Sequence, residues 1–246
     1  MVVHHPDRLT SLRHLASWAL LAFGAGAVNV GAFLACQRFV AHVTGTLTRV
    51  GADAGDVLGL DYLLVLACFM IGAATAVISV KKLGEPGGGL PYWIPLTLVS
   101  VTLAAVALLG SAGVFGVFGG TVETAHDFAF LCVVSFAMGM QNAAVAASTG
   151  MAVRTTHMTG PATDFAVAAA TLLVGKPEER PKAWASLALR GTKLTAFALG
   201  AAAMVPVCRQ VGFLAFFIPA LACAAATLSS FSPRRIAVAI EPPAQA

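Results

Sequence analysis

His42-Val43-Thr44-Gly45-Thr46-Leu47-Thr48 returns 115 positions later as His157-Met158-Thr159-Gly160-Pro161-Ala162-Thr163. Both copies stand between long apolar runs. A second pair follows in the same order: Phe69-Met70-Ile71-Gly72-Ala73 recurs as Phe197-Ala198-Leu199-Gly200-Ala201, 128 positions on. A third pair precedes both histidine motifs, because Gly26-x-x-Asn29 matches Gly139-x-x-Asn142 at a shift of 113. Matches in one order mark an internal duplication. In membrane proteins such a repeat is the best sequence-level pointer to a pathway or binding site.

The composition places the chain in a membrane. Apolar residues make up 58% of its 246 residues and charged residues only 11%, against about 25% charged in a soluble domain. Mean hydropathy is +0.85. So few charges cannot cover a soluble globule of this size, so most of the surface must face lipid. The net charge of +4 is no nucleic-acid signal: basic residues cluster at the ends of apolar runs, where they set topology. The five cysteines, Cys36, Cys68, Cys132, Cys208 and Cys223, have no zinc-type spacing and read as small packing residues. No cofactor is called for.

A helical span needs about 20 mostly apolar residues. Six such runs cover residues 15–36, 58–80, 92–118, 128–149, 184–206 and 211–231. The first follows a polar N-terminal segment, 1–14, and is too long for a signal-peptide core, so it reads as a retained helix. Segments 39–57 and 155–175 are shorter and carry the histidine motifs. Each could re-enter the membrane, lie at its surface or form half of an interrupted helix. The expected fold is therefore all-α: a polytopic membrane bundle of about six transmembrane helices, built as two inverted three-helix repeats (15–118 and 126–231) with two broken or re-entrant segments. Residues 232–246 read as a disordered tail. Three spans per half is an odd number, so the second copy is upside down relative to the first.

Charge asymmetry orients the bundle. With the N-terminus inside, twelve basic residues fall on or near the cytoplasmic side, from Arg8 and Arg13 to Arg234 and Arg235. Only Arg38, Arg49 and Arg209 fall outside. This bias puts both termini in the cytoplasm.

The motifs suggest a pathway. Glycine permits backbone that interrupts a helix, threonine satisfies freed backbone groups, and histidine can take a proton. The candidate lining is His42, Thr44, Gly45 and Thr48 from one half and His157, Thr159, Gly160 and Thr163 from the other. Asn29, Gln141 and Asn142 add amides within spans. Arg49 and Asp164 sit at equivalent positions with opposite charge and are expected to pair as a gate or coupling pair. A coupled proton would ride on His42, His157 or Asp164. The plainer reading gives all these groups to interhelical hydrogen bonding. Arg190, Lys193 and Trp184 are expected at the cytoplasmic interface, Gly72 and Gly200 at close helix contacts, and Gly110, Gly113, Gly116 and Gly119 on one small-residue face.

These stretches resemble the YoaK-like family of small bacterial integral membrane proteins, a domain of unknown function. The resemblance rests on Gly26 to Phe33, His42 to Thr48, Gly139 to Ala143 and Val153 to Gly160, and covers residues 15–231. Two departures stand out: Thr46 replaces a common Asn, and Asp164-Phe165 replaces a common Leu or Arg-Leu. The resemblance implies a multi-pass membrane location and no established reaction. With no phosphate loop, nucleophile elbow, dinucleotide fingerprint or metal-ligand spacing, the chain is not expected to be an enzyme. The leading expectation is a small secondary transporter or permease for an unknown small solute; the alternative is a non-transporting structural, sensor or partner protein. Expected partners are the lipid bilayer and the solute, with no nucleic acid; a homo-oligomer is compatible with both readings.

Overall fold

In hydrocarbon a backbone must satisfy its own polar groups, and apolar runs of this length do so as helices. The computed structural model describes residues 12–83, 91–120 and 123–231. Most of the N-terminal segment, part of the Gly/Pro-rich turn after Lys82, and the tail from 232 lie outside the described residues. The elements are α1 (Leu12–Cys36), α2 (Val43–Ala52), α3 (Val57–Leu83), α4 (Trp93–Ser111), α5 (Ala125–Ser148), α6 (Thr159–Val174), α7 (Arg180–Val211) and α8 (Phe217–Ala226). All are helical, as expected of a polytopic membrane bundle. Five stretches are long and apolar enough to cross a membrane. The last of them, Pro177–Ser229, has 53 residues, which would be about 80 Å as one helix. It breaks at Gly212, whose φ of 55° suits glycine alone, and folds back. Phe213 packs among Phe115, Phe118 and Phe130 at one end of the bundle, while Ser229 meets Ser17 at the other.

Two parallel helix pairs form the frame: α1 with α7, and α3 with α5. Each pair crosses at two glycines. A Cβ on Gly26 would overlap the Phe197 carbonyl, and one on Gly200 the Phe23 carbonyl. Gly72 and Gly139 stand in the same relation to Phe136 and Phe69. The sequence behind this is Phe-x-x-Gly, present four times: Phe23–Gly26, Phe69–Gly72, Phe136–Gly139 and Phe197–Gly200. The glycine of each helix receives the carbonyl of its partner's phenylalanine, so the backbones touch. α8 packs on α1, α4 packs on α5, and α4 meets α8. Exchanging α1 for α5, α2 for α6, α3 for α7 and α4 for α8 reproduces every one of these contacts. The duplication is thus a pseudo-twofold in the structure.

The two uncertain segments re-enter. After Cys36 the chain turns back until Ala41 N–H donates to Asn29 Oδ1 at 3.0 Å. Asn29 lies seven residues before the end of α1, so the loop has descended about 10 Å into the bundle. α2 then climbs out along α3. The second half repeats the path, with Thr155 returning level with Gln141 (3.0 Å) before α6 starts. α2 and α6 span about 15 and 24 Å, short of a roughly 30 Å hydrocarbon core.

Two expectations are corrected. The third span ends at Ser111, not near 118, because Gly113, Gly116 and Gly119 have φ of 85°, 74° and 69°. They shape a loop rather than a helix face, and of the four glycines only Gly110 packs in a helix, against the Phe213 ring. Gly45 and Gly160 do not break a helix either. Both lie in the first turn of α2 and α6. There a Cβ would sit 2.7 Å from His42 Nδ1 or 3.3 Å from His157 Nε2. The glycine makes room for its own histidine to fold over the helix start.

Candidate functional site

The tips of the two re-entrant loops face each other across a central cavity of about 530 Å³. Its fourteen lining residues are seven pairs of equivalent positions. Four pairs are identical: Asn29 with Asn142, His42 with His157, Thr44 with Thr159, and Phe69 with Phe197. Three differ: Phe39 with Arg154, Ala41 with Thr156, and Val43 with Met158. The frame explains the placement. Asn29 and Asn142 follow the crossing glycines by three residues, and Phe69 and Phe197 are the crossing phenylalanines themselves. The contact that locks each helix pair also aims an amide or a ring into the cavity.

A smaller vestibule adjoins the cavity on each side. The first, about 160 Å³, is lined by Phe39, His42, Gly45, Thr46, Arg49, Tyr62 and Val65 among others. The second, about 210 Å³, is lined by Arg154, His157, Gly160, Pro161, Asp164, Arg190 and Lys193 among others. These seven are again equivalent pairs, in the same order. Phe39 and His42 belong to both the first vestibule and the cavity, and Arg154 and His157 to both the cavity and the second vestibule. One residue pair therefore separates the cavity from each vestibule.

Equivalent positions carry different chemistry in the vestibules. In the first, Arg38 bonds the Tyr62 hydroxyl and Glu123, and Tyr62 donates to Glu123 at 3.2 Å. Arg38 and Arg49 both lie over the Tyr62 ring, 5.7 and 5.6 Å from its centroid, near enough for cation–π attraction. Burial works against the Arg38 charge, but Tyr62 and Glu123 more than offset it and raise its pKa. In the second vestibule the place of Tyr62 is taken by Arg190, whose Nε lies 3.3 Å from Asp164.

The expected Arg49–Asp164 pair does not form. Arg49 meets Asp53 at 3.7 Å and Glu123 at 3.6 Å, and the two residues lie in opposite vestibules. A pseudo-twofold that inverts the halves puts equivalent positions at opposite ends unless they sit near the axis, and these do not. Lys193 does not reach a surface as expected: it is 3% exposed and lines the second vestibule with Arg190. Trp184 is exposed on α7.

Of the other sequence candidates, His42, Thr44, His157, Thr159, Asn29 and Asn142 line the cavity, and Gly45 and Gly160 the vestibules. Thr48 and Thr163 return their hydroxyls to Thr44 O (2.9 Å) and Thr159 O (3.2 Å) within their own helices. Gln141 is buried and donates to Leu21 O at 3.2 Å and Thr155 Oγ1 at 3.0 Å. It fastens the second loop to α1 and does not face the cavity. Sequence reading missed Tyr62, Arg154, Phe69 and Phe197 as lining residues. The signal for the last two was present in the fourfold Phe-x-x-Gly.

Residues 17–229 match the family described as proteins of unknown function, DUF1275. The chain belongs to the DUF1275 family. No curated protein and no solved structure matches it. The match takes in both re-entrant loops and all eight helices except the first turn of α1, so the cavity and its vestibules lie wholly within the DUF1275 region. This DUF1275 protein is a multi-pass membrane protein of unknown function.

Proposed function

We propose that this protein is a small secondary transporter whose solute binds in the central cavity, between the tips of the two re-entrant loops. One observation carries the reading: a cavity lined by seven equivalent pairs, with equivalent vestibules on either side. A packing device needs no such pairing, whereas a site that opens alternately to two sides does. Phe39 with His42, and Arg154 with His157, stand where gates would act. The two histidines, at the cavity boundaries, are placed to carry a coupled proton. The positive-inside bias supports cytoplasmic termini in a bacterial inner membrane, which puts the first vestibule outside and the second inside.

Cysteine accessibility tests the reading. Thr44→Cys and Thr159→Cys, each in a cysteine-less background, are exposed to a membrane-impermeant thiol reagent from either side. Transport requires both to react through water. If neither reacts while Val117→Cys and Glu178→Cys do, the loops are dry packing elements and the non-transporting alternative stands.

A further inference from the structure

The pseudo-twofold fails at one charged position. Phe39 and Arg154 are equivalent, and Arg154 is the only formally charged residue lining the central cavity. Among the described residues no carboxylate pairs with it. Asp164, in the adjoining vestibule, is engaged by Arg190 at 3.3 Å. That vestibule thus holds Arg154, Arg190 and Lys193 against one carboxylate. On the other side, Arg38 and Arg49 face the cavity's other mouth and share Glu123.

The backbone adds to this sign. α2 and α6 both start at the cavity wall and neither has an acidic residue in its first turn; at α6 the Gly160 N–H donates to His157 Nε2 at 3.3 Å, whereas no side chain caps the start of α2. Both positive dipole ends bear on the cavity, that of α2 without a side-chain cap. Broken helices in transporters address anionic groups this way. Asn142 differs from its partner by symmetry: Asn29 Oδ1 accepts from Ala41 N–H, whereas Asn142 Oδ1 is buried without a hydrogen-bond partner. That free oxygen is an acceptor and suits a donor on the solute's body rather than its anionic head. The rest of the lining is largely apolar, with Phe39, Phe69, Phe197 and Met158.

We infer that the cavity takes a small organic anion: an oxyanion head such as a carboxylate, on a compact apolar body. The head sits between Arg154 and the starts of α2 and α6, and the body against Phe69 and Phe197. This names the substrate class of the proposed transport site and rests on that reading.

The test reads charge preference without needing the solute. Thr44→Cys and Thr159→Cys proteins, full-length and cysteine-less otherwise, are placed in zwitterionic lipid so that anionic headgroups cannot mask the cavity. Labelling rates are measured with an anionic reagent, sulfonatoethyl methanethiosulfonate, and a cationic one, trimethylammonioethyl methanethiosulfonate. Each rate is normalised to a free thiol. The anionic reagent is expected to react at least about tenfold faster at both positions, the size of an electrostatic focusing effect. Arg154→Gln should collapse this preference, and Arg154→Lys should keep most of it. Equal rates, a cationic preference, or a preference unmoved by Arg154→Gln would overturn the anion inference and leave the pathway standing. Failure of both reagents at both positions, with Val117→Cys and Glu178→Cys labelled, would remove the pathway and the anion site together.

Discussion

Asn29 and Asn142 occupy equivalent positions on α1 and α5, yet only Asn29 ties down its re-entrant loop, through Ala41 N–H. Removing it strands a backbone donor, which costs about 1 kcal/mol or more when buried. Asn142 Oδ1 has no such partner. Asn29→Ala should therefore lower the thermal unfolding midpoint in detergent, and Asn142→Ala should leave it nearly unchanged. Equal losses would mean that both amides are structural. The second loop has a different tether, Gln141. It holds Leu21 O and Thr155 Oγ1 in a buried setting. Side-chain hydrogen bonds inside membranes average about 0.6 kcal/mol, and Gln141→Leu also leaves Thr155 buried with one partner fewer. The expected loss is about 1–2 kcal/mol in chemical or steric-trap unfolding. Gln141 and Asn142 are neighbours in sequence, and nothing in their types tells which faces the cavity. Helix rotation decides it: one side chain turns toward α1 and the other toward the loop tips.

The helix pairs depend on four glycines. At Gly26, Gly72, Gly139 and Gly200 an added methyl would occupy the position of a partner carbonyl, and backbone cannot yield as a flexible side chain does. Each Gly→Ala should cost about 1–3 kcal/mol through overpacking, with the largest effect when both glycines of one crossing are changed. Gly51 on α2 has nothing within 4 Å of its added Cβ and serves as the control. Gly51→Ala should stabilise α2 by about 0.5–1 kcal/mol. Unfolding in detergent distinguishes these, and a loss at Gly51 matching the loss at Gly26 would undo the crossing argument. This level of the structure was partly legible. Hydropathy marks the long helices, and the repeated Gly72-Ala73 and Gly200-Ala201 point to close contact. The end of α4 was not legible, because glycines spaced by three residues fit a helix face as well as a series of left-handed turns. The re-entrant geometry was also hidden. A ten-residue apolar helix has the same composition whether it lies on a membrane or enters it, and only the Asn29–Ala41 bond places the loop at depth.

At the scale of the whole molecule the inverted duplication explains what the motifs alone could not. Sequence matching put Arg49 opposite Asp164 as equivalents, and equivalence suggested contact. In an inverted repeat, equivalence means contact only on the axis. His42, Thr44, Asn29 and their counterparts lie near enough to share one cavity, while positions 49 and 164 are carried to opposite ends. The same inversion makes a prediction about sidedness. The loop around Val117 lies at the end where Gly119 N–H reaches Ala35 O and Phe118 packs on Phe213. The turn at Pro177–Glu179 starts α7 at the other end. Val117 is 82% exposed, and Glu178 is exposed as well. With α5 crossing and α6 re-entering, cysteines at 117 and 178 are expected to react from opposite sides. In the proposed orientation, which follows the excess of Lys and Arg beside residues 81–82 and 176–182, the Glu178 side is cytoplasmic. An impermeant reagent should label Val117→Cys in intact cells and Glu178→Cys only after lysis. Labelling of both from one side would mean that the segment between them, α5 with α6, crosses an even number of times. The two halves would then not be inverted, and the paired vestibules could not open to opposite compartments.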